Sequence, residues 1–96
     1  MATEYQWDES KAASNFLKHG VTFEEALSVF DNPLAAIFDD EDHSGGDSRE
    51  IIVGHSIQDR LLLVCFSERS GTVRMISARP ATAKERKDYE EGVLNS

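Results

Sequence analysis

The sequence predicts an α+β fold in the order β-α-α-β-β-β-β-α. Three observations carry this. Thr22–Glu25 and Thr82–Glu85 both have the Thr-x-x-Glu pattern that opens helices. Apolar segments follow one another between residues 34 and 79 with no helical segment between them. The dipeptide Ser70-Gly71 joins two of these through a tight turn. Consecutive strands with short turns pair antiparallel, and helices grouped outside the run make α+β rather than α/β. The expected architecture is an antiparallel β-meander with two N-terminal helices and one C-terminal helix.

Each element has a local cause. Tyr5–Trp7 is a short first strand, available to join the meander at an edge. Asp8 can cap the helix that follows by accepting from free backbone N–H groups. Ala12, Ala13, Phe16 and Leu17 recur at helical spacing, and Lys18 and His19 suit the negative end of the helix dipole. Gly20 ends the helix near residue 19. Thr22 and Glu25 open a second helix to residue 31, with Phe23, Ala26, Leu27 and Phe30 inward; Asp31-Asn32-Pro33 stops it.

Leu34–Phe38 is a strand, and residues 39–47 are an acidic, glycine-containing loop. Arg49–Ser56 and Leu61–Arg69 are strands around a turn at Gln58-Asp59. Val73–Arg79 is the last strand, ended by Pro80. Thr82–Glu91 is the last helix, with Gly92 at its end.

The chain of 96 residues is expected to form one domain, residues 1–96. It has one cysteine, Cys65, so no intrachain disulfide is possible, and its apolar neighbours suggest a buried small side chain. The N-terminus lacks a basic stretch followed by an apolar one, and no apolar run approaches a membrane helix, so a cytoplasmic location is expected. The net charge of −8 is unevenly spread. Residues 1–50 hold three basic residues against twelve acids, whereas residues 51–96 hold seven against six. Such a surface repels polyanions at long range, so any nucleic-acid site must be local and drawn mostly from the second half. The acidic half suits a basic protein partner, or serves solubility alone.

His19, His43 and His55 lie on separate elements, so no metal motif is present. Asp39, Asp40, Asp42 and His43 lack the calcium-loop pattern and read as a solvated loop. Neither a glycine-rich phosphate loop nor a Gly-x-Ser-x-Gly elbow occurs. The second half does carry Arg60, Arg69, Arg74, Arg79, Lys84, Arg86 and Lys87. Arginine suits phosphate because its planar fork donates two parallel hydrogen bonds and stays charged. Four arginines on or beside consecutive strands can converge on a phosphodiester; equally, they can pair with the acids of the first half.

Strand parity bears on this. A two-residue Ser70-Gly71 loop sets Arg69 opposite Thr72 and Ser67 opposite Arg74, so Arg69, Ser67 and Arg74 share one face. Uninterrupted alternation then puts Glu68, Ser77 and Arg79 on the other face with Phe66 and Met75. In the last helix, Lys84–Asp88, Arg86–Glu90 and Lys87–Glu91 are i,i+4 pairs of a solvated face. Tyr89 either anchors that helix to the sheet or places a hydroxyl near a site.

A series of short pieces runs from Trp7 to Glu90. The pieces are Trp7-Asp8, Lys11-Ala12, Asn15, Lys18-His19-Gly20-Val21, Phe23–Ala26, Val29-Phe30, Pro33 and Asp42-His43-Ser44, then Gly54, Ser56, Arg60–Leu62, Glu68-Arg69, Arg74, Ile76–Arg79, Ala81-Thr82, Glu85-Arg86 and Tyr89-Glu90. In order and spacing they resemble the BrnT toxins. The resemblance implies a RelE-like fold and a metal-independent endoribonuclease with no cofactor. The ribose 2′-hydroxyl would attack the neighbouring phosphate while basic side chains stabilise the developing charge.

The resemblance also implies a cognate, BrnA-like antitoxin whose ribbon-helix-helix domain binds the operator, so that the toxin meets DNA only indirectly. Its pattern points to Lys18, Glu68, Arg69 and Arg79 as catalytic, with Arg69 and Arg79 as phosphate clamps and Glu68 or Lys18 moving protons. Arg60 and Arg74 would bind RNA. His19 is a reserve acid–base group, or a helix cap. Asp59 stands where the family commonly has glycine, and Ser67 where it commonly has threonine.

Two other functions fit parts of the sequence. A catalytically silent module that only pairs with an antitoxin-like partner would suit the acidic surface. A direct DNA-binding repressor would need a basic recognition helix, and the three expected helices are mixed or acidic.

Overall fold

The computed structural model describes residues 3–39 and 49–94. Its elements are β1 (Glu4–Gln6), α1 (Glu9–His19), α2 (Phe23–Leu27), a 3-10 turn (Ser28–Asp31), β2 (Ala36–Asp39), β3 (Arg49–His55), β4 (Leu61–Arg69), β5 (Thr72–Pro80) and α3 (Ala83–Leu94). The order matches the sequence expectation. The acidic loop, with Asp40, Asp42 and His43, lies outside the described residues.

The strands form one sheet in the order β1-β5-β4-β3-β2. β2 to β5 are the expected antiparallel meander. β1 joins it at the edge, parallel to β5, through Glu4↔Thr72, Tyr5↔Val73 and Gln6↔Arg74. The sheet is therefore mixed. Among the described residues no helix is long and apolar enough to cross a membrane.

Local signals account for the termini. Asp8 accepts from the backbone N–H groups of Ser10 at 2.8 Å and Lys11 at 3.3 Å. Gly20 closes α1 at φ 69 and donates its N–H to the Phe16 carbonyl. Thr82 and Glu85 complete their reciprocal capping box at 3.1 and 2.9 Å. The Thr22 box is only half made. Thr22 caps the Glu25 N–H, but the Glu25 carboxylate turns away to Arg60 and Ser56.

Several sequence expectations shift. The second helix is α-helical only to Leu27 and tightens into the 3-10 turn. α3 runs through Gly92 to Leu94. On α1, Phe16 and Leu17 are exposed, at 51% and 86%; the helix instead buries Asn15 and half-buries Ala12.

α1 and α2 cover one face of the sheet. Val21, Phe23, Ala26 and Val29 pack there against Ile52, Leu62, Val64, Phe66, Val73, Met75 and Ala78. α3 covers part of the other face, where Tyr89 packs with Val53 and Leu61. Its hydroxyl donates to the Leu34 carbonyl at 2.6 Å, which makes Tyr89 the anchor of α3. Gly54 marks a close approach: a Cβ there would lie 2.9 Å from the Ala35 Cβ.

Candidate functional site

The site is built by an irregularity in β5. The Ser70-Gly71 turn sets Arg69 opposite Thr72 and Ser67 opposite Arg74, as the two-residue loop requires. Phe66 then pairs with Met75 but Cys65 with Ser77, so Ile76 is an extra residue in the ladder. This β-bulge reverses the alternation beyond it. Ala78 points into the helix-covered core, and Ser77 and Arg79 turn to the opposite face. The parity expected for Ser77 and Arg79 is thereby corrected. Arg69, Arg74 and Arg79 share one face; Glu68, paired with Val73, stands on the other. Cys65 lies on the arginine face, between Ile51 and Ser77, and is only half-buried.

The arginines extend along the face rather than converging. Arg79 pairs with Leu63 and Arg69 is six residues farther along β4, about 20 Å at the rise of a strand. Arg74, opposite Ser67, lies between them, about 13 Å from the level of Arg79.

Arg79 is already held. Its two terminal nitrogens donate to the two carboxylate oxygens of Glu85, each at 2.8 Å. The Glu85 carboxyl is pushed down to about 2, chiefly by these Arg79 hydrogen bonds, with the Thr82 amide adding to them. The same carboxylate thus caps α3 and ties it to β5.

Arg60 lies at the opposite end of β4 from Arg69. Its guanidinium donates to both oxygens of Glu25 and to the Gly20 carbonyl. Ser56 donates to the same carboxylate at 2.7 Å. Glu25 is buried, and Arg60 above all, against the cost of burial, holds its carboxyl below the usual range. The cluster links the start of α2 to the β3–β4 turn. At that turn Asp59 has φ 61, a left-handed conformation that explains why glycine suits the position.

Lys18 is exposed on α1, in the helix layer. One turn before it, Asn15 binds Ala78 at the part of β5 that β1 leaves uncovered. Glu68 is exposed near the β4–β5 turn, about 17 Å along β4 from the level of Arg79. The fold therefore brings Arg69, Arg74 and Arg79 to one face and sets Lys18, Glu68 and Arg60 apart from one another.

Two depressions flank the arginines. A groove of about 500 Å³ between α3 and the sheet is lined by Phe38, Ile51, Val53, Leu63 and Tyr89, with Glu85 at its side. A shallow recess at the other edge is lined by Tyr5, Gln6, Trp7, Glu9 and Arg74. Among the described residues no three His, Cys, Asp or Glu side chains group to hold a metal ion.

The sequence reading of the basic series omitted Arg49, whose row mates are defined only by strand register. It also assigned no role to Asn15 and gave Glu85 only that of a helix cap, because the pairings with Ala78 and Arg79 depend on how the strand is oriented.

Comparison with known proteins agrees with this architecture. No curated protein sequence matches the chain. The crystal structure of the Brucella abortus ribonuclease toxin, BrnT, superposes with a TM-score of 0.60 and 26% identity, over 84% of this chain and 99% of that one. The family described as "Ribonuclease toxin, BrnT, of type II toxin-antitoxin system" matches residues 7–85. With most of its length matched and its fold shared, the chain belongs to the BrnT family of ribonuclease toxins of type II toxin–antitoxin systems.

Proposed function

We propose that the chain is a metal-independent endoribonuclease of RelE-like type, acting in the cytoplasm and restrained by a BrnA-like ribbon-helix-helix antitoxin. The observation that carries this reading is the shared face of Arg69, Arg74 and Arg79, which depends on the bulge at Ile76. The ribose 2′-oxygen attacks phosphorus, its proton passes to a base, and the 5′-oxygen leaves with a proton from an acid. The products end in a 2′,3′-cyclic phosphate and a 5′-hydroxyl. Arg79 and Arg69 are the phosphate clamps, Arg74 binds the same RNA, and Arg60 supports it from the far end of β4. Glu68 or Lys18 is the proton carrier of this scheme.

The antitoxin covers the arginine face and the apolar groove beside Arg79. An inhibitor there excludes RNA and gains both charge complementarity and apolar contact. The silent-module reading is favoured by the acidic surface and by the separation of Glu68 and Lys18 from the arginine face.

The test is end-mapping of RNA cleaved by purified toxin with and without EDTA. Cyclic phosphate ends and chelator resistance are expected. Arg79→Ala should lower cleavage about 10²–10³-fold with the fold retained, as for loss of one preorganised donor. Arg79→Lys should recover part of it, because a point charge cannot replace a bidentate fork. A folded Arg69→Ala, Arg79→Ala double variant that still cleaves would overturn the site.

A further inference from the structure

The registers of four strands define a row across the arginine face: Gln6 on β1, Arg74 on β5, Ser67 on β4 and Arg49 on β3. Arg49 and Arg74 are two strands apart, about 10 Å between backbones. A serine hydroxyl stands between them.

Four other basic residues have surroundings of a different kind. Arg60, Arg79, Lys84 and Lys87 each have a carboxylate partner. Arg49 and Arg74 form no ion pair among the described residues. The chain has 18 acidic residues against 10 Lys and Arg, so acids are not scarce. Among the described residues the nearest acid on this face by register is Glu4, in the next row with Thr72 and Arg69. Two like charges with a donor hydroxyl between them repel each other until an anion is shared between them.

The row ends at the recess formed by Tyr5, Gln6, Trp7, Glu9 and Arg74. Gln6 offers an amide donor and acceptor there, and Trp7 an aromatic surface. The Glu9 carboxylate accepts from Trp7 Nε1 at 3.1 Å and keeps lone pairs for another donor. A phosphate track leading to an aromatic, hydrogen-bonding recess fits an unpaired nucleotide strand better than a duplex.

We propose that Arg49 is a further RNA-binding residue, and that single-stranded RNA crosses the sheet along the Arg49–Ser67–Arg74–Gln6 row. Phosphates rest on Arg49 and Arg74, and a base enters the recess beside Gln6 and Trp7. This rests on the ribonuclease reading and adds the path of the substrate across the strands.

The test uses the full chain and a 2′-O-methyl RNA oligonucleotide, which lacks the attacking hydroxyl. Affinity is measured across a salt series for wild type, Arg49→Ala, Arg74→Ala and Lys87→Ala. Losing one single-strand phosphate contact should lower the slope of log affinity against log salt by about 0.7, and weaken binding roughly tenfold at low salt. Arg49→Ala and Arg74→Ala should both do so at unchanged melting temperature. Lys87→Ala, on the outer face of α3, should leave the slope alone. Wild-type slope for Arg49→Ala beside a reduced slope for Arg74→Ala would overturn the path but not the ribonuclease. An equal fall for Lys87→Ala would reduce the effect to net charge and also overturn it. Normal RNA binding by Arg49→Ala with weakened antitoxin binding would give the row to the protein partner instead. No RNA binding by wild type would remove both readings.

Discussion

The Asn15 carboxamide binds both backbone groups of Ala78, donating to its carbonyl at 2.9 Å and accepting from its N–H at 3.0 Å. It acts as a one-residue strand on β5 beyond the end of β1. Its second N–H donates to the Val21 carbonyl at 3.0 Å, so a buried polar side chain is fully engaged. Asn15→Ala leaves these backbone groups without partners, at about 2–4 kcal/mol in all. Denaturant unfolding should show that loss, and hydrogen exchange should show the Ala78 amide deprotected. Unchanged stability would mean that water replaces the carboxamide without cost.

Arg60→Ala should fail first through folding. It strands the buried Glu25 carboxylate, which costs up to about 3 kcal/mol, toward the low end for a broken buried pair because Arg60 is partly exposed. The double variant Glu25→Gln, Arg60→Met should recover much of this. Cleavage that returns with stability would make Arg60 a structural residue. Cleavage that stays lost in the stable double variant would support direct RNA binding.

Glu85 gives a pH dependence of known sign. Its carboxyl titrates near 4.5 in the unfolded chain and is pushed down to about 2 in the fold. Unfolding therefore takes up a proton between these values. The stabilisation is complete above about pH 4.5 and fades as pH falls toward 2. Glu85→Gln keeps an oxygen for the Thr82 N–H but loses the charge facing Arg79. Melting curves of wild type and Glu85→Gln should differ most above pH 4.5 and converge in acid. Parallel curves would show that the exposed pair contributes nothing net.

Asp59→Gly should stabilise the chain by about 0.5–1 kcal/mol. Asp59 occupies the left-handed region at φ 61, where a side chain crowds the following carbonyl. The gain is reduced by the greater freedom of glycine in the unfolded chain. A raised denaturation midpoint at unchanged slope is the expected result.

Most elements were legible because their causes are local. Asp8 and Gly20 bracket α1, Thr82 and Glu85 open α3, and Ser70-Gly71 sets the β4–β5 register. The face of α1 was misread because exposed Phe16 and Leu17 have the expected spacing while its buried residue, Asn15, is polar. The missing half of the first capping box has the same origin. Glu25 meets a charged partner 35 residues away, and that attraction outcompetes the reach back to a neutral N–H.

By itself the sequence determined the order of elements, the meander, the family and the reservoir of arginines, since these depend on neighbouring residues and on a pattern spread along the chain. Tertiary structure decided how the arginines are arranged. Nothing near Ile76 marks it as the extra residue; Ala78 must face the helix layer and bind Asn15, and the strand yields one residue to allow it. That single step carries Arg79 to the face of Arg69 and Arg74. Strand register, a property of distant segments, then places Arg49 in the row of Arg74.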